Sequence, residues 1–133
     1  MIKKLGYGVI LWAIPYVTAI PLLPLMNSDP VFFKTIMVVE GALVGSVLAA
    51  LYFVAVQRDF LREAIVLSVV WMVVNWLLDY VALLPFSGQS LPRYFVEIGF
   101  RYLAIGCLVL AIGYVLERKL GRMVGDSAKP HLV

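Results

Sequence analysis

The chain is short of the residues that most protein chemistry needs. It has one cysteine, Cys107, and one histidine, His131, in 133 residues. An internal disulfide and a Cys-x-x-Cys redox pair are therefore excluded, and a dedicated zinc or haem site has no ligand set. Only 14% of residues are charged. Their excess of +3 is not gathered on one soluble face, so a nucleic-acid partner is not expected. A phosphate loop, a nucleophile elbow, a His-Glu zinc pattern and a long soluble loop are all missing, and no nucleophile stands beside a recognisable base. An enzyme is therefore not the expected class, and no cofactor is implied.

Apolar length is abundant instead, since 63% of the residues are hydrophobic. A soluble domain of this size cannot hide that much apolar surface, so a lipid bilayer is the expected partner. Crossing a hydrocarbon core takes roughly 20 helical residues. Four runs meet that length: Leu5 to Met26, Val31 to Val56, Ala64 to Phe86 and Tyr94 to Leu116, joined by NSDP, QRDFLRE and SGQSLPR. The expectation is an all-α, four-helix transmembrane bundle in one domain, with sequential helices as antiparallel neighbours because the connectors are short. The first run follows Lys3 and Lys4 but is long for a signal core and ends without an Ala-x-Ala-like site, so it reads as a retained anchor. A basic cytoplasmic tail fills residues 117–133.

Lys3, Lys4, Arg58, Arg62, Arg118, Lys119, Arg122 and Lys129 fall on one side, against Lys34 and Arg93 on the other. That asymmetry predicts a multi-pass protein of a cell inner membrane with both termini in the cytoplasm.

Inside the runs lie residues that lipid rejects: Lys34 and Glu40, then Asn75 and Asp79, then Glu97 and Arg101. A charge at bilayer centre costs about 2.5 to 3.5 kcal/mol on insertion scales, so these groups should face protein or water. Asn75 and Asp79, four apart, share a helix face that Ser68 extends. Asp79 and Arg101 are the expected contact between the third and fourth runs. Three embedded acids against two bases leave Glu40 without an obvious counter-ion, since Lys34 is six positions away and well around the helix. Glu40 is thus the candidate proton or cation site; the alternative is a hydrogen-bonded core glutamate, with the other charges as structural glue.

Gly99, Gly106 and Gly113 recur every seven residues, and Gly41 and Gly45 are four apart, a small-residue pattern for close helix approach. Two such seams plus a polar core predict a homodimer. Pro15, Pro21 and Pro24 deprive the carbonyls of Leu11, Val17 and Ile20 of their helical donors, which predicts kinks in the first helix. Freed carbonyls either line a binding site or merely let the helix fit.

The layout resembles that of the small multidrug transporters. That family's glutamate lies in its first helix, where this chain has no acid, so the residue does not carry over. The stretch NWLLDYVALLPF followed by YFVEIGFRYL is similar to a pattern in small uncharacterised prokaryotic four-helix inner-membrane proteins. It covers roughly the last half of the chain and implies no activity. The leading expectation is a small transporter or channel for a proton, cation or small solute. In it Glu40 binds, Asn75 and Asp79 line the route, and Glu97 and Arg101 set the field at its outer mouth, with Lys34 a further candidate of the polar core. The rivals are a non-transporting subunit or scaffold of a larger complex, and an intramembrane lipid-binding protein or enzyme.

Overall fold

The computed structural model describes residues 1–88 and 90–127. Gln89, and the end of the tail with Lys129 and His131, lie outside the described residues. Every regular element among the described residues is helical: α1 (Ile2–Ala19), α2 (Leu23–Ser28), α3 (Pro30–Val54), α4 (Phe60–Leu78), α5 (Leu84–Ser87), α6 (Leu91–Tyr94) and α7 (Arg101–Ser127). Two π-helical turns, Asp79–Leu83 and Phe95–Gly99, join α4 to α5 and α6 to α7.

The expected bundle of four simple spans is overturned. Among the described residues, two helices are long and apolar enough to cross a membrane, Pro30–Val54 and Phe60–Ala82. A third span exists only if Leu91–Gly99 and Arg101–Leu120, bent by 42° at their junction, count as one. The run over residues 5–26 is divided by its prolines. Pro21 has no N–H to continue the helix, so α1 stops at Ala19, and Pro24 occupies the first turn of the separate α2. Pro15 stays inside α1. The last run breaks at Phe100, whose N–H reaches back to the carbonyl of Phe95, a five-residue step that widens the helix beside Glu97 and Arg101. Farther on, α7 continues as helix past residue 116, through Arg118 and Lys119 to Ser127.

The long helices nevertheless bury a common core. It is formed by Leu11 of α1, Leu48, Ala49, Tyr52 and Phe53 of α3, Phe60, Ala64, Leu67 and Trp71 of α4 and Val109 of α7. In this ring α4 packs on α1 and α7, and α3 packs on α1 and α7. The connector of residues 55–59 does not make α3 and α4 principal neighbours, contrary to the expectation for short links. Three hydrogen bonds between α1 and the α4 face span the same sequence distance: Trp71 to Lys4, Asn75 to Gly8 and Trp12 to Asp79, each 67 residues apart. A constant offset means parallel helices, and steps of four mean one face of each. Gly8 permits the approach, since a methyl there would lie 3.2 Å from the indole of Trp71.

Away from the core, Val39, Leu43, Val47 and Leu51 on α3, and Ile65, Val69, Val73 and Leu77 on α4, form exposed apolar stripes at four-residue spacing. Such stripes beside helices of this length are consistent with a membrane protein.

Candidate functional site

Asp79 follows α4 and opens the first π-helical turn, and it is 3% exposed. Three neutral aromatic donors hold its carboxylate. Trp12 Nε1 donates to Oδ1 at 2.8 Å, and the hydroxyls of Tyr94 and Tyr102 donate to Oδ2 at 2.6 and 2.7 Å. The donors come from α1, α6 and α7, so one side chain ties three elements to the end of α4. Hydrogen bonds to a charged group are worth about 1.5–3 kcal/mol each, which sets three of them against a desolvation penalty of several kcal/mol. The expected Asp79–Arg101 pair does not form, because the two tyrosines occupy Oδ2. Arg101 instead donates to the backbone carbonyl of Lys34 at 3.4 Å.

Sequence reasoning misses these donors. Trp12 is one of many aromatics in an apolar run, and Tyr94 reads as an interfacial residue. Buried Trp and Tyr normally need a polar partner, and that is the signal available.

Asn75, one turn before Asp79, is 0% exposed; its amide donates to the carbonyls of Trp71 at 2.8 Å and Gly8 at 3.4 Å. Its Oδ1 is enclosed with no donor. The expected polar lane thus faces α1, while Ser68 at its other end turns to α7 and donates to the carbonyl of Gly106.

Glu40, on α3, sits apart from Asp79 and meets the last turn of α1. There the hydroxyl of Thr18 donates to Glu40 Oε1 at 2.7 Å. Thr18 Oγ1 also lies 3.0 Å from the carbonyl of Ile14, one turn back along α1 and next to Pro15. A hydroxyl has one proton, so it cannot serve both acceptors at once. The second carboxylate oxygen of Glu40, Oε2, is enclosed without a hydrogen-bond donor. Among the described residues, Glu40 and Asn75 are the two side chains that keep a buried oxygen unmatched.

The remaining charges gather at the two ends. Near the start of α3, Glu97 accepts from Lys34 at 3.2 Å and from Arg93 at 2.9 Å. At the other end, Lys4 meets Glu63 at 2.9 Å, and the Tyr52 hydroxyl donates to the same carboxylate. Neither Tyr52 nor Glu63 stands out as a polar-core residue in the sequence. Among the described residues, no three His, Cys, Asp or Glu side chains lie close enough together to hold a metal ion.

Both glycine seams are used within one chain. Gly41 and Gly45 face Ile105 of α7, and a methyl at Gly45 would come within 2.9 Å of that side chain. Gly106 faces Met72 and Ser68, and Gly113 is pressed against Ala64 and Phe60, all on α4. Gly99 gives its carbonyl to Trp76 Nε1 at 3.2 Å. The seam argument for a homodimer therefore loses its premise, because each stripe already has a partner.

Comparison with protein-family models, with curated proteins and with solved structures finds no match for this chain. What stands is a small all-α protein whose apolar helices are consistent with a membrane protein.

Proposed function

We propose that the protein is a small membrane transporter or channel for a proton, cation or small solute, with Glu40 as its binding group. The observation that supports this reading is Glu40 Oε2, enclosed without a donor while Oε1 is held by Thr18. A buried carboxylate oxygen without a partner is costly, and a proton, a cation or a donor group on a solute relieves that cost. Asn75 Oδ1, also unmatched, is a second acceptor of the same kind. The prolines at the end of α1 do not add free carbonyls to this site, because the Val17 carbonyl accepts from the Ile20 N–H and the Ile20 carbonyl from the Leu23 N–H. The setting in this reading is a prokaryotic inner membrane with both chain ends cytoplasmic, supported by the placement of Lys and Arg. Membership of the last half of the chain in a family of small prokaryotic inner-membrane proteins is part of the same proposal.

The test is flux in proteoliposomes, across a panel of ions and pH values, for the wild type and Glu40→Gln. Glutamine keeps an acceptor for Thr18 but cannot ionise. Flux lost in a folded Glu40→Gln variant is the expected result, and equal flux in both proteins overturns the role of Glu40.

A second reading is a non-transporting membrane subunit. It is favoured by Asp79, both of whose oxygens are taken by donors from other helices. Silence across the whole panel, together with co-purification of a stable partner, decides for it.

A further inference from the structure

Where α3 ends and α4 begins, the start of α1 and the connector enclose an open cleft of about 580 Å³. Its basic side chains are Lys3, Lys4, Arg58 and Arg62, and its acids are Asp59 and Glu63. Lys4 and Glu63 are committed to each other, with Tyr52 added on the carboxylate. Lys3, Arg58 and Arg62 remain, exposed and with no ion pair among the described residues, against the one carboxylate of Asp59. The rim therefore carries net positive charge.

The wall is of a different character. Leu51 is exposed on the last turns of α3, and Ala55 and Val56 follow it into the connector. Leu51 continues the stripe of Val39, Leu43 and Val47 on the same face. The cleft thus joins an outward apolar helix face to a basic rim. It does so between Val54 and Phe60, the ends of the two membrane-length helices. That is the depth at which a bilayer changes from acyl chain to phosphate.

We propose that this cleft binds the phosphate head group of an anionic phospholipid. Arg58 and Arg62 grip the phosphate oxygens, Lys3 adds charge, and the first acyl carbons lie along Leu51 and Val56. Arginine suits this task because its planar fork pairs two phosphate oxygens at once. A pocket of several hundred Å³ is the usual size for a small ligand. Free phosphate would use the same rim but not the apolar wall, and the amphipathic lining favours the lipid. The inference is independent of the Glu40 reading, since the two sites share no residue.

Native mass spectrometry of the full chain released from detergent tests it, with added phosphatidylglycerol, phosphatidylcholine or inorganic phosphate. Wild type should retain phosphatidylglycerol severalfold more than phosphatidylcholine. Arg58→Gln/Arg62→Gln should lose that preference while leaving the core intact, because both side chains are exposed. Lys3→Gln/Arg58→Gln, which leaves α4 untouched, should weaken the preference as well. Equal retention of the two lipids by wild type, or an unchanged preference in both double variants, overturns the proposal. Retention of inorganic phosphate at the level of phosphatidylglycerol overturns the lipid assignment.

Discussion

Gly113→Ala is the sharpest perturbation of the packing between α4 and α7. A methyl at this position would overlap Cβ of Ala64 and stand 2.9 Å from the carbonyl oxygen of Phe60. Neither obstacle can turn away. One is a Cβ on a residue that is 0% exposed, and the other is backbone. Carbon atoms in contact sit about 3.5–4.0 Å apart, so the two helices must separate along their most intimate contact. Overpacking of this kind costs about 1–3 kcal/mol, or roughly a 5- to 150-fold shift in the unfolding equilibrium. Gly106→Ala is the internal control. The nearest atoms to a methyl there are Met72 Sδ at 3.5 Å and Ser68 Cβ at 3.8 Å, which is ordinary contact. That variant should be no less stable than wild type, since alanine in a helix interior gains about 0.5–1 kcal/mol over glycine. Unfolding in mixed micelles with increasing dodecyl sulfate, followed by tryptophan fluorescence, separates the two. Equal stabilities for Gly113→Ala and Gly106→Ala would refute the register of α4 on α7.

Tyr94 and Tyr102 share Asp79 Oδ2, so either Phe substitution leaves one donor in place and both together leave none. The double variant should lose more stability than the sum of the singles, by about 0.5–3 kcal/mol, and an additive double-mutant cycle would contradict the shared acceptor. Pro21→Ala restores an N–H opposite the carbonyl of Val17, so α1 and α2 should join and far-ultraviolet circular dichroism should show added helix. An unchanged spectrum would mean that another feature of residues 20–22 makes the break.

Much of this is legible in the sequence, and the failures have definite causes. Apolar length locates α3 and α4 because neither is interrupted by a proline beyond its first turn. The same length rule fails over residues 5–26, where Pro21 and Pro24 stop the helix rather than bend it. Four-residue spacing places Asn75 and Asp79 on one face, but a period names a face and not the helix that meets it. The same limit applies to the glycines, whose partners are α4 and Ile105 rather than a second copy. Charge counting seeks Arg101 as the counter-ion of Asp79 and overlooks neutral donors. Two tyrosines and a tryptophan satisfy a carboxylate without any cation, and no balance of charges reveals them.

The claim at the centre of this account is that the free oxygen of Glu40 is served by a route from water. Cys107 is the only cysteine, so Cys107→Ser provides a background in which Glu40→Cys is the sole thiol. Reaction of that thiol with a membrane-impermeant methanethiosulfonate reagent, applied to either side of sealed proteoliposomes, reads access directly. Labelling is expected from at least one side, at a rate well above that of a lipid-facing control such as Leu43→Cys. A Glu40→Cys protein that folds but labels no faster than Leu43→Cys from either side would contradict it and leave Glu40 as a hydrogen-bonded strut between α3 and α1.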